Sequence, residues 1–284
     1  MSQYALLIGY LDDPIIQQLA KFLVTQKKPI IWIDQAKIGH HIWVNQHRWW
    51  CQNPTWSCSH QEVIGVFNRW MGQMFHRKHW PYYHRIFDLL NHQYHNVLNP
   101  MKAVLSHLSK PKQLAELRHY HWHIPPSYYG IDHNTPSRKK CIYKSISSHR
   151  SQAAILDESQ QKIAWTEPVL FQQQVMGVCI RVHVIGHQVI ATEIQSTGMD
   201  YRYTANNRFL AHQLPSHIEQ DCRLATEQLG LNFSGIDLIY EAKKDRYTLL
   251  EINPAPGYVY FENQMATPQV SYALMNQLFA DHGA

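Results

Sequence analysis

Two apolar segments near the carboxyl terminus constrain this chain more than any other feature: Gly235-Ile236-Asp237-Leu238-Ile239 and Tyr247-Thr248-Leu249-Leu250-Glu251-Ile252-Asn253-Pro254. Read as an antiparallel pair of strands, they place Asp237, Glu251 and Asn253 at the strand ends. Glu251 and Asn253 are two positions apart and therefore project from the same face. Two carboxylates and an amide oxygen form a hard-oxygen donor set that suits Mg2+, an ion that keeps its remaining positions for water and phosphate. Either strand alone also fits an acidic hairpin in which Asn253 caps a bend. The Asn-Pro-Ala-Pro-Gly run directly after Leu-Leu-Glu-Ile favours the metal reading, because it fixes both side chains rigidly.

The amino-terminal third carries a different signal. Residues Tyr4 to Tyr10 are an apolar run that predicts a buried strand, and Asp12-Asp13-Pro14 predicts a capped helix start. That helix carries Ile15, Ile16, Leu19, Phe22 and Leu23 at helical spacing, and Ile30 to Ile33 gives a second strand. Strand, helix, strand opens a parallel α/β unit. His40 to Trp50 reads as antiparallel strands, Val63 to Phe67 as a core strand ending at Asn68-Arg69, and Tyr82 to Leu98 as a helix broken by Asn99-Pro100. A helix around Lys112 to His119 follows, then an extended segment with Pro125-Pro126 and the strand Cys141 to Lys144. Further strands are expected at Val169–Gln174, Ile180–Ile185 and Val189–Ile194, with helices at Ile218–Leu229 and Pro268–Phe279. The reading gives three parts: 1–100, an amino-terminal lobe expected on the substrate side; 101–170, a central lobe with a lid loop; and 171–284, a carboxyl-terminal lobe with the metal set.

Composition excludes more than it assigns. The 284 residues carry a formal charge of +5 with no long Lys/Arg block, which suits anionic ligands such as nucleotide phosphates and does not argue for nucleic acid. There is no membrane-length apolar window, and the amino terminus, with no basic lead and no small-residue cleavage site, does not read as a signal peptide. Five scattered cysteines fit reduced thiols in the cytoplasm better than a disulfide framework. Neither GxxxxGK[ST] nor GxGxxG occurs, and no Ser–His–Asp or Cys–His order stands out. The 20 histidines are given no task by composition. His119, His121 and His123 alternate, and His47, Cys51, Cys58 and His60 could converge, yet neither set follows a zinc spacing.

The segments GIDL…LLEINPAPG and Phe171-Gln172-Gln173-Gln174-Val175-Met176-Gly177-Val178-Cys179-Ile180-Arg181-Val182 resemble the ATP-grasp ligases, in particular the RimK-like branch that includes peptide-maturing ligases. The resemblance runs from about Asn99 to Phe279. It implies an α/β (α+β) ATP-grasp fold, with a Rossmann-like pre-ATP-grasp lobe followed by two α+β lobes that grip ATP. It implies that Asp237, Glu251 and Asn253 hold one or two Mg2+ (or Mn2+) ions bridging ATP phosphates, and that Lys144 and Lys110 reach the nucleotide, with Lys112 a rival to Lys110. Gln172, Gln173, Gln174 and Val175 match the hinge whose backbone pairs with adenine. Arg181 and Arg202 match catalytic arginines facing the phosphates and the acyl-phosphate. Arg69, at the end of a strand where a parallel sheet meets ligand, is a candidate for a substrate carboxylate or phosphate, and equally for an ordinary salt bridge.

The activity so implied is ATP- and Mg-dependent ligation through an acyl-phosphate, with an amine or a hydroxyl as acceptor, giving an amide, peptide or ester bond. The partners expected are ATP, a carboxylate substrate and that acceptor, which an amino acid, a peptide or a protein could supply; a homodimer is left open. Three positions depart from the family pattern. Cys179 stands where an acidic residue usually precedes Ile-Arg, Gln173 replaces a commonly acidic hinge residue, and Ser145 to Arg150 lacks the glycines usual in a phosphate-covering lid. These departures motivate the alternative: a nucleotide-binding regulatory or scaffold protein that kept the fold without turnover.

Overall fold

The computed structural model describes residues 3–280 apart from 54–55, 71–79, 119–120, 132–139, 148–152, 157–166 and 199–205. The chain begins with β1 (Tyr4–Gly9), α1 (Pro14–Thr25) and β2 (Ile30–Asp34), as the apolar runs require. Asp13 caps α1 by accepting from Ile15 N at 2.7 Å and Ile16 N at 3.4 Å, and Pro14 supplies the preset first turn. A short helix, α2 (Ile38–His41), leads into a three-stranded antiparallel sheet of β3 (Ile42–Val44), β4 (Trp49–Asn53) and β5 (Trp56–Ser59). The chain then returns through β6 (Val63–Asn68), α3 (Trp80–Gln93) and β7 (Val97–Leu98). Where periodicity predicts one helix to Leu98, α3 stops at Gln93, and Val97 and Leu98 pair in parallel with Val66 and Phe67. Two apolar residues fit the last turn of a helix or a buried strand equally well, and sheet pairing decides.

β1, β2, β6 and β7 form a parallel sheet in the order β2-β1-β6-β7. Strand order reverses between β1 and β6, so their carboxyl ends border the crevice where such sheets bind ligands. Here the molecule's own chain enters that crevice: Arg69, just past β6, donates to the carbonyls of Ala255 and Pro256.

Beyond Pro100 come α4 (Met101–Ser106) and α5 (Lys110–Leu117), then β8 (Ser127–Gly130), β9 (Cys141–Ser145), β10 (Ala154–Ile155) and β11 (Val169–Gln173). These strands make an antiparallel sheet in the order β10-β9-β11-β8. Residues Gln174 to Gly177 then cross to a second antiparallel sheet, built from β12 (Val178–Ile185), β13 (Gln188–Gln195), β14 (Arg208–His212), β15 (Phe233–Glu241) and β16 (Arg246–Asn253), with α6 (Ser216–Gln228) between β14 and β15. Its order is β14-β13-β12-β15-β16. Ile180, Val182, Ile236, Leu238 and Ile252 point to one face, where they pack with Ile218, Cys222 and Ala225 of α6. The alternating residues are left to the other face, which looks toward the central sheet.

The chain closes with α7 (Val259–Glu262) and α8 (Gln269–Leu278). Val270, Ala273, Leu274 and Leu278 share a core with Ala5 and Leu7 of β1 and with Ile16 and Leu19 of α1. The last helix thus packs between the parallel sheet and β12 and β13 of the carboxyl-terminal sheet. A Cβ at Gly65 of β6 would collide with the backbone of Leu278, so that close approach requires glycine. Among the described residues no helix is long and apolar enough to cross a membrane.

Candidate active site

Strand register assembles the charged set. Arg181 on β12 lies directly opposite Asp237 on β15, which lies opposite Glu251 on β16, and Asn253 pairs with Gly235. Arg181 Nη1 is 2.7 Å from Asp237 Oδ1. Asn253 Nδ2 donates to Asp237 Oδ2 at 3.2 Å and to Glu251 Oε1 at 3.5 Å, so the three expected metal ligands converge and leave the Asn253 amide oxygen as a further donor to a cation. Gly235 makes this possible, since a Cβ there would overlap the Arg181 guanidinium and come within 2.5 Å of Pro256 Cβ.

The central lobe supplies the balancing cations. Lys144 on β9 reaches across the cleft to Glu251 Oε2 at 3.0 Å. Lys110, the first residue of α5, lies 3.9 Å from the same oxygen and donates to Ser145 O at 3.2 Å and Ser147 O at 2.6 Å, tying the start of the lid loop to the site. Lys112 turns away: it is exposed, bonded to Ser106 Oγ and 3.7 Å from Glu116. Burial pushes the Asp237 carboxyl upward, and the neighbouring Glu251 charge adds to this against the pull of Arg181. Burial also opposes ionisation of Glu251, but Lys144 and Lys110 outweigh it and hold Glu251 at about 2. Two adjacent carboxylates kept together by two lysines and an arginine could hold a divalent cation and phosphates.

The expected hinge runs from β11 into the crossing. Gln172 is opposite Ile142, two residues from Lys144, so its side chain shares the cleft face of the central sheet. It is fully buried, its Nε2 donates to Ser127 Oγ at 3.2 Å, and its Oε1 has no hydrogen-bond partner among the described residues. An orphaned buried acceptor beside the hinge fits the exocyclic amine of adenine. Gln173 N and Gln174 N each donate at 2.9 Å, to Pro126 O and Lys140 O, so an adenine edge would use the remaining backbone groups up to Val175. A cavity of about 740 Å³ adjoins the hinge, lined by Pro125, Pro126, Gln173 to Gly177 and the β15–β16 turn.

Arg69 sits against the Ala255–Pro256 loop, near enough to Arg181 for the two charges to interact. It is buried, 3.3 Å from Asp13, and spends further donors on the loop carbonyls of Ala255 and Pro256. Arg202 lies outside the described residues, as do His119 and Arg150. His123 bonds Thr248 Oγ1 at 3.1 Å, and Cys51 stands opposite Cys58 within the β4–β5 pair; among the described residues no three His, Cys, Asp or Glu side chains converge.

Sequence reasoning missed two amides. Gln113 of α5 is buried against the backbone of Ile252, between Glu251 and Asn253. Asn99, read only as a helix breaker, accepts from Asn232 N at 2.8 Å and Phe233 N at 2.7 Å and donates to Pro254 O at 2.5 Å, fixing the residue after Asn253. Neither belongs to a periodic pattern. The only signal available was a polar residue in an otherwise apolar setting.

Residues 108–257 match the family model described as an ATP-grasp domain. No curated protein matches the sequence. Among solved structures, the ATP-grasp ligase PsnB complexed with a minimal precursor superposes with a TM-score of 0.76 at 21% identity, over 98% of this chain and 99% of that one. The macrocyclase MdnC from Microcystis aeruginosa MRC, bound with precursor peptide MdnA, gives a TM-score of 0.77 at 18% identity, over 98% and 100%. A RiPP-associated ATP-grasp ligase of Chryseobacterium gregarium, in complex with ADP and a leader and core peptide, gives 0.73 at 15% identity, over 97% and 96%. At such identities the likeness is one of fold.

Proposed function

The chain belongs to the ATP-grasp family, and from that premise we propose that it is an ATP- and Mg2+-dependent ligase that activates a carboxylate of a peptide substrate and joins it to an amine or hydroxyl. One observation carries the reading: an unbroken row of charge crosses the interlobe cleft, from Arg181 through Asp237 and Glu251 to Lys144, with ion-pair contacts of 2.7 Å and 3.0 Å at its two ends. The peptide substrate is supported by the fold shared with PsnB, MdnC and the C. gregarium ligase, each described with a precursor or core peptide. Ordinary thiols and an ATP requirement suit the cytoplasm.

Asp237, Glu251 and Asn253 would hold Mg2+, which neutralises phosphate charge when bound. Lys144 and Lys110 would hold the nucleotide phosphates. Gln172, with the hinge backbone of Gln173, Gln174 and Val175, would orient adenine. Attack of the substrate carboxylate on the terminal phosphorus breaks the bond to ADP and forms an acyl-phosphate. The acceptor nitrogen or oxygen then attacks the acyl carbon, loses its proton, and phosphate leaves. Arg181, and Arg202 on the resemblance, would stabilise the negative charge on the transferring groups. Arg69 acts on this reading as a support for the Pro254–Gly257 loop.

The test is incubation of the protein with Mg–ATP and candidate peptides bearing acidic side chains. ADP release together with a peptide product lighter by one water supports ligation. ADP release with a stable phosphorylated peptide would instead indicate a kinase, and tight ATP binding without any product across the panel would defeat the proposal.

A further inference from the structure

The strand that carries Glu251 and Asn253 is the edge of its sheet. Its inner side pairs with β15, while its outer side presents backbone groups that need partners. At Leu249 the partner is ordinary backbone, with Leu249 N donating to His123 O at 2.9 Å. At Ile252 it is a side chain. Ile252 N donates to Gln113 Oε1 at 2.8 Å, and Gln113 Nε2 donates back to Ile252 O. Gln113 is wholly buried, so this exchange is sheltered from water. A carboxamide carries one acceptor and one donor in peptide-like geometry and can therefore stand in for a neighbouring strand at a single residue.

That single residue lies between two of the candidate metal ligands. Rotation of the strand about its axis at Ile252 would swing Glu251 and Asn253 together, away from Asp237. α5 also presents Lys110 three positions before Gln113, on the same helical face, and Lys110 approaches Glu251 at 3.9 Å. One helix therefore delivers a nucleotide-contacting cation and clamps the ligand strand that faces it.

We infer that Gln113 is a positioning residue that sets the spacing of Glu251 and Asn253 for the divalent cation without touching cation or nucleotide. The inference rests on the metal reading of the site proposed above. Replacement by Met preserves length and apolar volume while removing both hydrogen bonds. Glu preserves shape and, when ionised, removes only the donor.

The experiment is calorimetric binding of ADP to the full chain in EDTA and in saturating Mg2+. Gln113→Met is expected to cut the Mg2+-dependent gain in ADP affinity about tenfold, and Gln113→Glu by a smaller factor, while affinity in EDTA stays within about twofold of wild type. A fall in EDTA affinity equal to that in Mg2+ would show a merely structural role and overturn the inference, as would an unchanged gain in both variants. If the wild type shows no Mg2+-dependent gain, the metal reading itself fails and the inference with it. Should the variants not fold, a wild-type crystal structure with Mg2+ and ADP decides: Gln113 bonded to Ile252 beside a cation held by Glu251 and Asn253 supports the assignment, and Gln113 released from the strand refutes it.

Discussion

Among the described residues are two arginine–aspartate pairs of similar make-up and different surroundings. Arg69 and Asp13 meet at 3.3 Å with side chains 8% and 6% exposed; Arg181 and Asp237 meet at 2.7 Å with side chains 6% and 26% exposed. Asp13 Oδ1 accepts from the first N–H groups of α1 and Oδ2 from Arg69 Nε, while Arg69 Nη1 donates to the carbonyls of Ala255 and Pro256. That pair is tied into the chain at the end of the parallel sheet, with both carboxylate oxygens of Asp13 bonded. Asp237, in contrast, is a quarter exposed and stands beside a second carboxylate, Glu251, on the open face of an antiparallel sheet. Only the second pair continues into further charges, Glu251, Lys144 and Lys110, which is what makes it the candidate functional site.

The largest expected effects break this contrast at its functional end. Glu251→Gln keeps shape and removes one anion, and Asp237→Asn does the same beside Arg181. Each should lower the rate of ADP release per folded molecule by about 10²–10³-fold. Turnover close to wild type in both variants would remove the metal site from the argument. Arg69→Met should do the reverse. Leaving Asp13 unpaired in a buried setting costs about 3 kcal/mol of stability, seen as a lower urea midpoint, while the rate per folded molecule holds within a few-fold. If instead stability is kept and the substrate KM rises steeply, Arg69 is a substrate ligand, as its position at a strand end first suggested.

A third effect separates the surroundings of the two arginines. His183, two residues beyond Arg181 on β12, is fully buried and donates to Gly257 O at 3.1 Å. Burial, and then the Arg181 charge, lower its pKa from 6.5 to about 3. The folded value is below the unfolded one, so the unfolded chain takes up this proton first as pH falls. Stability is unaffected above about pH 6.5 and is lost from there down to about pH 3, at up to about 1.4 kcal/mol per pH unit. Urea unfolding at pH 7.5 and pH 5 should therefore show a smaller acid loss in His183→Gln than in wild type. An equal loss in the two proteins would mean that the imidazole is already charged in the fold.

What was legible in the sequence was whatever alternates or repeats. The apolar runs of β1, β2 and β6, the face of α6, and the Asp237–Glu251–Asn253 set all follow from period and register. The family was legible by resemblance, since GIDL…LLEINPAPG is a local string. Less legible were features that depend on contacts between distant segments. Val97 and Leu98 form a strand because β6 offers an open edge. Arg208–His212 was missed as a strand because it is a short edge, half exposed, that pairs only with β13. Gln113 and Asn99 lie more than a hundred residues from the backbone groups they satisfy. Lys110 and Lys112 are alike in sequence, and only the helix, with its capping Ser109, turns one toward Glu251 and the other to solvent.

The smallest effect concerns Cys179, which faces the same cleft as Arg181 two residues away and lies opposite Ile239. Burial and the nearby Asp237 raise its thiol pKa, so near neutral pH it is a protonated, weak donor. The family resemblance puts an acid there, which would accept from the ribose hydroxyls if the sugar lies against this position. Cys179→Glu should then lower the KM for ATP by about threefold to tenfold, the worth of one net hydrogen bond, and leave kcat unchanged because the position touches no reacting atom. A carboxylate so near Asp237 also adds like charge, so the same change should weaken binding if no hydroxyl is there to meet it. A raised KM would therefore place the ribose elsewhere on the cleft face. It would also confine the exposed end of the Arg181–Asp237 row to phosphates and metal, without the sugar.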